Sequence, residues 1–414
     1  MSREGAALPG WAWRRILPVV GPGIVVMLAD TDAGSIITAA QSGAQQGYKL
    51  LLLQLVLIPV LFIVQELTVR LGLVTRRGHG ELIRERFGAG WAWLSVSTLA
   101  VACVGALVTE LSGMAGVAQL FGVPVWLMLL GTVAFIVVVV LTGSYRSVER
   151  VAICFGLFEL AFFGVALFAR PDPAQIAADV AQTPFTDKDF LYLAAANIGA
   201  VIMPWMVFYQ QSAVVDKGLT PRNLGIARWD TAIGAIVTQL IMAAVLVATA
   251  ATIGTVNPAA PLNDVPQIAT ALTPYLGDMV GRLVFALGMS GAALLATMVV
   301  SLTVAWGLGE VSGFKRSLEH HPREAPWFYG IFTALLILSA LLVGSGIPLV
   351  SLSVAVEVLN ALLLPIVLGF LYQLARRALP PEYRLRGWYA GLVAIIILIT
   401  AGFALFAALS GIAG

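Results

Sequence analysis

Long apolar segments recur along the whole chain and constrain its fold more than any single motif does. Each runs for about 20 residues or more, which is the length an α-helix needs to cross the ~30 Å hydrocarbon core of a bilayer. We place eleven of them, at 17–44, 48–74, 91–121, 124–143, 148–170, 191–217, 227–255, 278–309, 325–344, 346–375 and 387–411. A transmembrane β-barrel would alternate apolar and polar residues instead, so the sequence predicts an all-α polytopic membrane protein.

The composition agrees with a chain that is embedded in lipid. Of its 414 residues, 59% are hydrophobic and only 11% are charged, whereas about a quarter of the residues of a soluble domain are charged. A soluble chain of this length needs more polar surface, which excludes a soluble enzyme and a nucleic-acid-binding protein. Both cysteines, Cys103 and Cys154, fall inside apolar segments. We therefore expect two buried thiols, and neither a disulfide nor a metal cluster.

The basic residues predict how the chain is oriented. If the N-terminus is cytoplasmic, 20 of the 24 lysines and arginines fall in connections on the cytoplasmic side. This is the bias that the positive-inside rule describes. With eleven spans, the C-terminus then lies outside the cell or in the periplasm. The sequence thus predicts a multi-pass protein of the cell (inner) membrane.

Acidic residues lie inside the apolar segments, although every lysine and arginine lies in a connection or near a segment end. Those well within a segment are Asp30, Asp32, Glu110, Glu159 and Glu357. A carboxylate at membrane depth costs several kcal/mol and is normally paired or functional. Because no basic residue lies at that depth, these groups are either protonated or neutralised by a cation. The pattern favours a cationic substrate over an anion or a zwitterion.

Two acidic positions have simpler explanations. Glu66 lies four residues before Arg70, so an ion pair on the helix surface accounts for it. Glu159 has no partner that the sequence reveals. A protonated carboxyl group bonded to nearby backbone explains Glu159 as well as a functional role does.

Two apolar segments contain residues that interrupt a helix. In the first, Asp30-Thr31-Asp32-Ala33-Gly34-Ser35 places poor helix formers in mid-membrane. In the sixth, Pro204 removes a helical hydrogen bond. We expect one transmembrane domain over 1–414, with one five-span half at about 17–170, another at about 191–375 and an extra span at 387–411. Breaks at corresponding places in two halves are typical of the midplane site of a transporter.

At these residues the chain resembles the Nramp family of divalent metal transporters. Residues 21–35, which begin Gly-Pro-Gly and end Asp-Ala-Gly-Ser, and residues 43–51 resemble the family's first span. Residues 80–87 resemble its second connection, and residues 198–204 resemble its sixth span. The resemblance implies a LeuT-type fold of two inverted five-helix repeats, spans 1–5 and 6–10. Helices one and six would be broken, with the metal ion held between them.

The resemblance also implies a set of metal ligands. They would be the Asp32 carboxylate, the Ala200 carbonyl and the Met203 thioether, while the family's asparagine ligand falls on Ser35. A family glutamine that approaches the metal falls on Glu357. A thioether favours transition metals over Mg²⁺ or Ca²⁺.

The chain departs from the family pattern at several positions. Two family histidines of span six fall on Trp205 and Gln211, and a family aspartate of span three falls on Leu107, although its companion acid remains as Glu110. The departures at the asparagine and histidine positions resemble the Nramp-related magnesium transporters, which Met203 does not fit. The three histidines of the chain, His79, His320 and His321, all fall in connections predicted to be cytoplasmic.

Taken together, these features predict an importer of divalent cations and not an enzyme. Mn²⁺ or a similar transition metal is favoured over Mg²⁺, and an organic amine or amino acid on the same fold is the alternative substrate class. The predicted partners are the metal ion, as substrate, and the lipid bilayer, with no nucleic acid, no cofactor and the oligomeric state open. Asp30, Glu110, Trp205, Gln211 and Glu357 are candidates for the ion pathway or for supporting the ligands. Since the family histidines are replaced, we expect transport that is uncoupled from protons or only weakly coupled.

Overall fold

The computed structural model describes residues 21–141, 145–256, 262–270, 277–318, 320–345 and 349–413, and all regular structure among them is helical. The helices are α1 (Pro22–Asp30), α2 (Ala33–Gln46), α3 (Leu51–Thr75), α4 (His79–Phe87), α5 (Ala89–Leu120), α6 (Val125–Leu141), α7 (Tyr145–Glu159), α8 (Ala161–Phe168), α9 (Pro173–Ala181), α10 (Lys188–Val201), α11 (Pro204–Asp216), α12 (Leu224–Val256), α13 (Val265–Thr270), α14 (Asp278–Ser312), α15 (Pro326–Gly344), α16 (Leu349–Arg377) and α17 (Gly387–Ile412). A short 3₁₀ helix, Pro221–Asn223, precedes α12.

The apolar segments correspond to these helices. Within the described ranges, nine helical stretches are long and apolar enough to cross a membrane, and the bent pair of α1 and α2 makes a tenth. The fourth predicted segment is the shorter apolar helix α6, of 17 residues. The prediction of an all-α polytopic membrane protein is confirmed. The polar connections contain short helices that hydropathy did not reveal, namely α4, α9 and α13.

The first span is broken where the sequence predicted it. Helices α1 and α2 meet at an angle of 45°, and Thr31 and Asp32 lie between them. Asp32 has an extended backbone (φ −77°, ψ 175°) and caps α2 by accepting a hydrogen bond from the backbone of Ser35. Asp and Ser side chains compete with helical hydrogen bonding, which is why the chain leaves the helix here. Thr31 is hydrogen-bonded through its hydroxyl to Thr238 of α12, which fixes the break against a neighbouring span.

The sixth span is also broken, between α10 and α11. Helix α10 ends at Val201, with Ile202 as its C-cap, and Met203 precedes α11 with an extended backbone (φ −82°, ψ 143°). Pro204 occupies the first position of α11, where a proline costs no helical hydrogen bond. Nearly all residues of this span are buried, so the second break lies in the interior of the bundle.

Helix ends that the charge pattern assigns to one side of the membrane do lie together. The Arg84 guanidinium of α4 donates to the carbonyl of Val311 at the end of α14, over 2.7 Å. The Arg70 guanidinium near the end of α3 donates to the carbonyl of Tyr383, in the connection before α17, over 3.2 Å. Arg70 also forms the predicted ion pair with Glu66 at 2.6 Å, although both side chains are buried and not on the helix surface. Glu66 accepts a further hydrogen bond from Arg228.

The expectation for the cysteines was wrong for one of them. Cys103 is buried in α5, whereas Cys154 is exposed on the outer face of α7. In a membrane helix an apolar position can face lipid as well as the core, so hydropathy alone does not distinguish the two. Neither cysteine forms a disulfide.

The close approach of α10 and α16 depends on a glycine. At Gly199, a Cβ atom would overlap the carbonyl oxygen of Glu357 and lie 2.8 Å from the backbone nitrogen of Ala361. Both obstructing atoms belong to the backbone of α16, so they cannot move aside as a side chain would. Small residues allow helix backbones to approach in this way.

We expect Gly199→Ala to push α10 and α16 apart and to destabilise the purified protein by about 1–3 kcal/mol, the usual cost of overpacking. Gly330→Ala in α15 is the matched control, because a Cβ there meets no atom within 4 Å. Thermal unfolding in detergent measures both variants. An equal melting temperature for the Gly199 and Gly330 variants would contradict the packing described here.

Candidate metal site

The break in the first span is surrounded by buried carboxylates from four spans. Asp30 and Asp32 lie at the break itself, Glu110 comes from α5, Glu159 from the end of α7 and Glu357 from α16. Each side chain is at most 1% exposed. Within the described part of the chain, no lysine, arginine or histidine donates a hydrogen bond to any of them. Any negative charge on these groups therefore has no basic counterpart among the described residues.

Asp32 has one satisfied and one free carboxylate oxygen. Its Oδ1 accepts a hydrogen bond from the Ser35 backbone nitrogen at 2.7 Å, whereas its Oδ2 is buried without a partner. The first bond fixes the side chain, and the second oxygen remains available to a ligand. A buried acceptor without a partner is costly, which makes Oδ2 a candidate cation ligand.

Glu357 reaches the same place from α16. Its Oε2 accepts a hydrogen bond from the side-chain amide of Asn360 at 2.8 Å, while its Oε1 has no partner. Oε1 lies against Gly34: it would overlap a Cβ at that position, which would also lie 3.5 Å from Asp32 Oδ1. Glycine at position 34 thus lets the carboxylates of Asp32 and Glu357 approach the break from two helices.

Glu110 caps the second half of the broken span. Its Oε2 accepts a hydrogen bond from the backbone nitrogen of Ala33 at 3.0 Å, and Thr109 lies 3.4 Å from its Oε1. The backbone N–H groups of the first turn of α2 have no helical partner and carry partial positive charge. Glu110 and Asp32 both accept hydrogen bonds from this turn. Glu110 therefore supports the break, and its bonded oxygen is less available to an ion than the free oxygen of Asp32.

The break in span six contributes neutral ligands to the same region. In a continuous helix the Ala200 carbonyl would accept a hydrogen bond from residue 204, but Pro204 has no N–H group. The carbonyl instead accepts a hydrogen bond from the Ser35 hydroxyl at 3.2 Å, which joins the two breaks directly. Asp32, Ser35 and Ala200, named from the sequence, therefore lie together.

Met203 is fully buried at the same break, and its sulfur has a partner. The indole nitrogen of Trp205 lies 3.1 Å from Met203 Sδ and donates to it. A thioether sulfur has two lone pairs, so this contact orients the sulfur and leaves it able to coordinate an ion. Trp205 is itself 0% exposed and cannot titrate.

Asp30 and Glu159 are the remaining buried carboxylates at this break. All four of their carboxylate oxygens lack a partner among the described residues. Glu159 lies within electrostatic range of Asp32 and Asp30. The environment that the sequence left open for Glu159 is therefore the break of span one, where Thr31 is also near its carboxyl group.

Gln211 lies away from this cluster. Its amide oxygen is 3.0 Å from Nδ1 of His79, and its amide nitrogen donates to the carbonyl of Arg77 at 2.8 Å. The prediction that His79 is a loop residue needs a correction, since the imidazole is fully buried between α4 and α11. Burial lowers the pKa of His79 from 6.5 to about 4, although the bond to Gln211 opposes the shift.

Three contributors to the site were not predicted. Gly34 was noted only as a poor helix former, and its role in the approach of Glu357 requires the three-dimensional packing. Asn360 follows Glu357 by three residues, so the helical period could have paired them. Thr109 directly precedes Glu110, but nothing in the sequence singles it out.

The arrangement can hold a cation only with mixed ligands. Within the described ranges, no three carboxylate, imidazole or thiol groups converge on one point where an ion could sit. An ion here would be bound by one or two carboxylates together with carbonyl, hydroxyl, thioether and water ligands.

Comparison with known proteins decides the family. Residues 23–410 match the family model described as "Natural resistance-associated macrophage protein-like", the Nramp family. The chain belongs to the Nramp family. The resemblance in spans one and six thus extends over nearly the whole sequence.

Curated relatives carry a common name. The chain is 28% identical over 316 residues to "Divalent metal cation transporter MntH" of Bradyrhizobium diazoefficiens, covering 72% of this chain and 69% of that protein. It is 29% identical over 351 residues to the protein of the same name from Xanthomonas campestris pv. campestris, covering 80% and 76%.

Solved structures establish the fold. The manganese transporter of Eremococcus coleocola, crystallised with an aromatic bis-isothiourea compound, superimposes with a TM-score of 0.77 at 19% identity and covers 100% of this chain and 90% of its own. The nucleobase-cation-symport-1 family transporter Mhp1 gives a TM-score of 0.62 at 14% identity, covering 95% and 92%. The predicted LeuT-type fold with broken helices one and six is confirmed.

Proposed function

We propose that this chain imports divalent metal cations across the cell (inner) membrane. The observation that carries the proposal is the free Oδ2 of Asp32. This oxygen is buried where the two helix breaks meet, among carboxylates that no base of the described residues neutralises. The name shared by the curated relatives supports the same substrate class. The basic connections favour a cytoplasmic N-terminus and an external C-terminus.

The proposed ligands come from both breaks and from span ten. Asp32 supplies the anchoring charge through Oδ2, and Glu357 adds a second carboxylate through Oε1. The Ala200 carbonyl, the Met203 thioether and the Ser35 hydroxyl supply neutral ligands, and retained water completes the coordination. Glu110 holds the break in place. The metal is the substrate, so the proposal includes no cofactor and no enzymatic reaction.

The ligand set favours Mn²⁺ or a similar transition metal as the substrate, with Mg²⁺ as the alternative. Met203 supports a transition metal because sulfur binds softer ions better. The second carboxylate, Glu357, and the short hydroxyl of Ser35 suit a hard ion that keeps several waters, as Mg²⁺ does. A carboxylate-bearing organic substrate fits poorly, since Asp30 and Asp32 would repel it.

We further propose that the chain is organised as two halves, at about 17–170 and 191–375, followed by the extra span 387–411. Ions would pass between the broken helices of the halves. Proton movement is not required for uptake, because a doubly charged ion gains about 2.3 kcal/mol per charge per 100 mV of membrane potential.

Asp32→Asn is expected to abolish metal binding while the protein stays folded. Removing one member of a buried charge pair costs about 3–5 kcal/mol, which corresponds to at least a hundredfold loss of affinity. Calorimetric titration with Mn²⁺ and uptake into proteoliposomes measure the loss. Asp278→Asn is the control, since Asp278 is exposed at the start of α14. Normal uptake by a folded Asp32→Asn protein would refute the assignment.

Met203→Leu is expected to shift selectivity toward hard ions. Leucine nearly preserves the volume of the side chain but removes the sulfur, so Cd²⁺ and Mn²⁺ should lose about tenfold in affinity relative to Mg²⁺. Met206→Leu, one turn further along α11 and equally buried, is the matched control. If both variants keep the parent's preference for Mn²⁺ over Mg²⁺, Met203 is a packing residue and Mg²⁺ becomes the favoured substrate.

Transport is expected to be uncoupled from protons or weakly coupled, since Trp205 and Gln211 cannot titrate. Proteoliposomes with an internal pH dye and a fixed membrane potential test this. Metal entry with a flat pH signal is the expected result, with a protonophore added as the control for dye response. Acidification in fixed proportion to metal entry would show that another group, such as a buried carboxylate, carries the proton.

A further inference from the structure

A second polar cluster lies on the side of the bundle where the basic connections gather. It joins the first turn of α4 to α11 and α14. We call it the α4 latch and define it by its residues, which are His79, Gly80, Gln211, Ser212 and Glu310. None of these residues is a proposed metal ligand, and only Gln211 was named from the sequence as a candidate for the ion pathway.

Glu310 is the central contact of the latch. Its Oε2 accepts a hydrogen bond from the backbone nitrogen of Gly80 at 2.8 Å, and its Oε1 accepts one from the Ser212 hydroxyl at 2.6 Å. The first turn of α4 has no side-chain cap of its own. A carboxylate from α14 therefore caps it, in the position where the helix dipole favours negative charge. At Gly78, any side chain would collide with the Glu310 carboxylate.

His79 and Gln211 form the other half of the latch. Gln211 accepts a hydrogen bond from His79 Nδ1 and donates one to the carbonyl of Arg77, so both ends of its amide bind the entrance of α4. The imidazole packs edge-on against Phe208, with ring centroids 4.9 Å apart. Its Nε2 is buried without a partner. Because the amide oxygen can only accept, Nδ1 carries the proton and Nε2 is the unprotonated nitrogen.

A proton on Nε2 would place an unpaired N–H and a full charge in this enclosed space. We propose that the α4 latch is a pH-sensitive closure, which is stable while His79 is neutral and opens when His79 takes up a proton from the adjoining solution. The latch joins α4 to α11, and α11 begins at Pro204, directly after Met203. Opening the latch would therefore release the half-helix that follows a proposed metal ligand. The inference rests on the proposed function only for this link to transport.

The charged groups around α4 do not offset the effect that burial has on the pKa of His79. From α14, Glu310 is engaged by Gly80 and Ser212, while α11 faces the imidazole with the neutral Gln211. Helix α5 also packs against α4, and its residues from Ala89 to Thr109 include no charged side chain. Helix α16 meets α4 through Phe370 against Phe87, and its two final arginines, Arg376 and Arg377, are exposed. On α4 itself, Glu81 pairs with Arg77 and Arg316.

The direction of the pH effect follows from the buried imidazole. Its pKa is about 4 in the closed latch, against an ordinary value of 6.5 once it is exposed. The closed latch is therefore fully stable above pH 6.5 and loses stability as the pH falls toward 4. Between these values, the ratio of open to closed latch rises about tenfold for each pH unit. The proton enters and leaves on the same side, so the effect does not couple transport to protons.

Hydrogen exchange of the α4 amides, followed by mass spectrometry on the metal-free protein, tests the proposal. After correction for intrinsic exchange rates, protection of the peptide covering 78–88 should fall about 30-fold between pH 8 and pH 5. Peptides from α17 serve as the internal control. His79→Gln, which can still donate to Gln211, should remove the fall, whereas His321→Gln, at an exposed histidine, should leave it intact.

Gln211→Glu provides a second variant if His79→Gln does not fold. A carboxylate facing Nδ1 stabilises the protonated imidazole inside the closed latch, so the fall in protection at pH 5 should disappear or reverse. The proposal is overturned if wild-type protection is the same at both pH values, or if the full fall persists in His79→Gln or in Gln211→Glu. Because no metal is present, these results are independent of whether the chain transports metal ions.

Discussion

One constraint governs the rest of the structure: carboxylates are buried in a membrane-spanning bundle, and among the described residues no base lies beside them. Asp32 and Glu357 each keep one oxygen satisfied by the protein, through Ser35 and Asn360, and one oxygen without a partner. The satisfied oxygens fix the side chains, and the free ones leave a deficit that a cation can remove. Soluble proteins bury such groups beside arginine or lysine. Among the described residues no base compensates them, so the compensation comes from a proton or from a bound cation, which suits the proposed ion site.

The backbone breaks follow from the same constraint, since a membrane interior tolerates irregular backbone only where its polar groups find partners. At the first break those partners are side chains: Asp32 and Glu110 accept hydrogen bonds from N–H groups in the first turn of α2 that have no helical partner. At the second break, Pro204 frees the Ala200 carbonyl, and the Ser35 hydroxyl donates to it. The two breaks thus stabilise each other across the bundle, and neither would be satisfied in a single isolated helix.

Much of the fold and of the candidate site could be predicted from the sequence, because hydropathy, charge and helix breakers act locally. The spans, both breaks and the grouping of Asp32, Ser35 and Ala200 were predicted in this way or through the Nramp resemblance. Features that depend on contacts between distant segments were not. The burial of His79 was missed because its short helix, His79–Phe87, is polar and reads as a loop, while its covering comes from α11 and α14. Cys154 was misjudged because lipid-facing and core-facing positions have the same hydropathy.

Helix α11 connects the two polar regions of the molecule. Met203 directly precedes its first residue, and Gln211 lies eight residues after Met203, about 12 Å along a helix axis. A helix held by its own hydrogen bonds moves as a unit, so displacement at one end is felt at the other. If ion binding at Met203 favours one position of α11, the state of His79 must in turn alter ion affinity by the same factor, because coupling between two sites is reciprocal. If the α4 latch acts as proposed, span six is sensitive to pH through His79 of α4, although its own Trp205 and Gln211 cannot titrate.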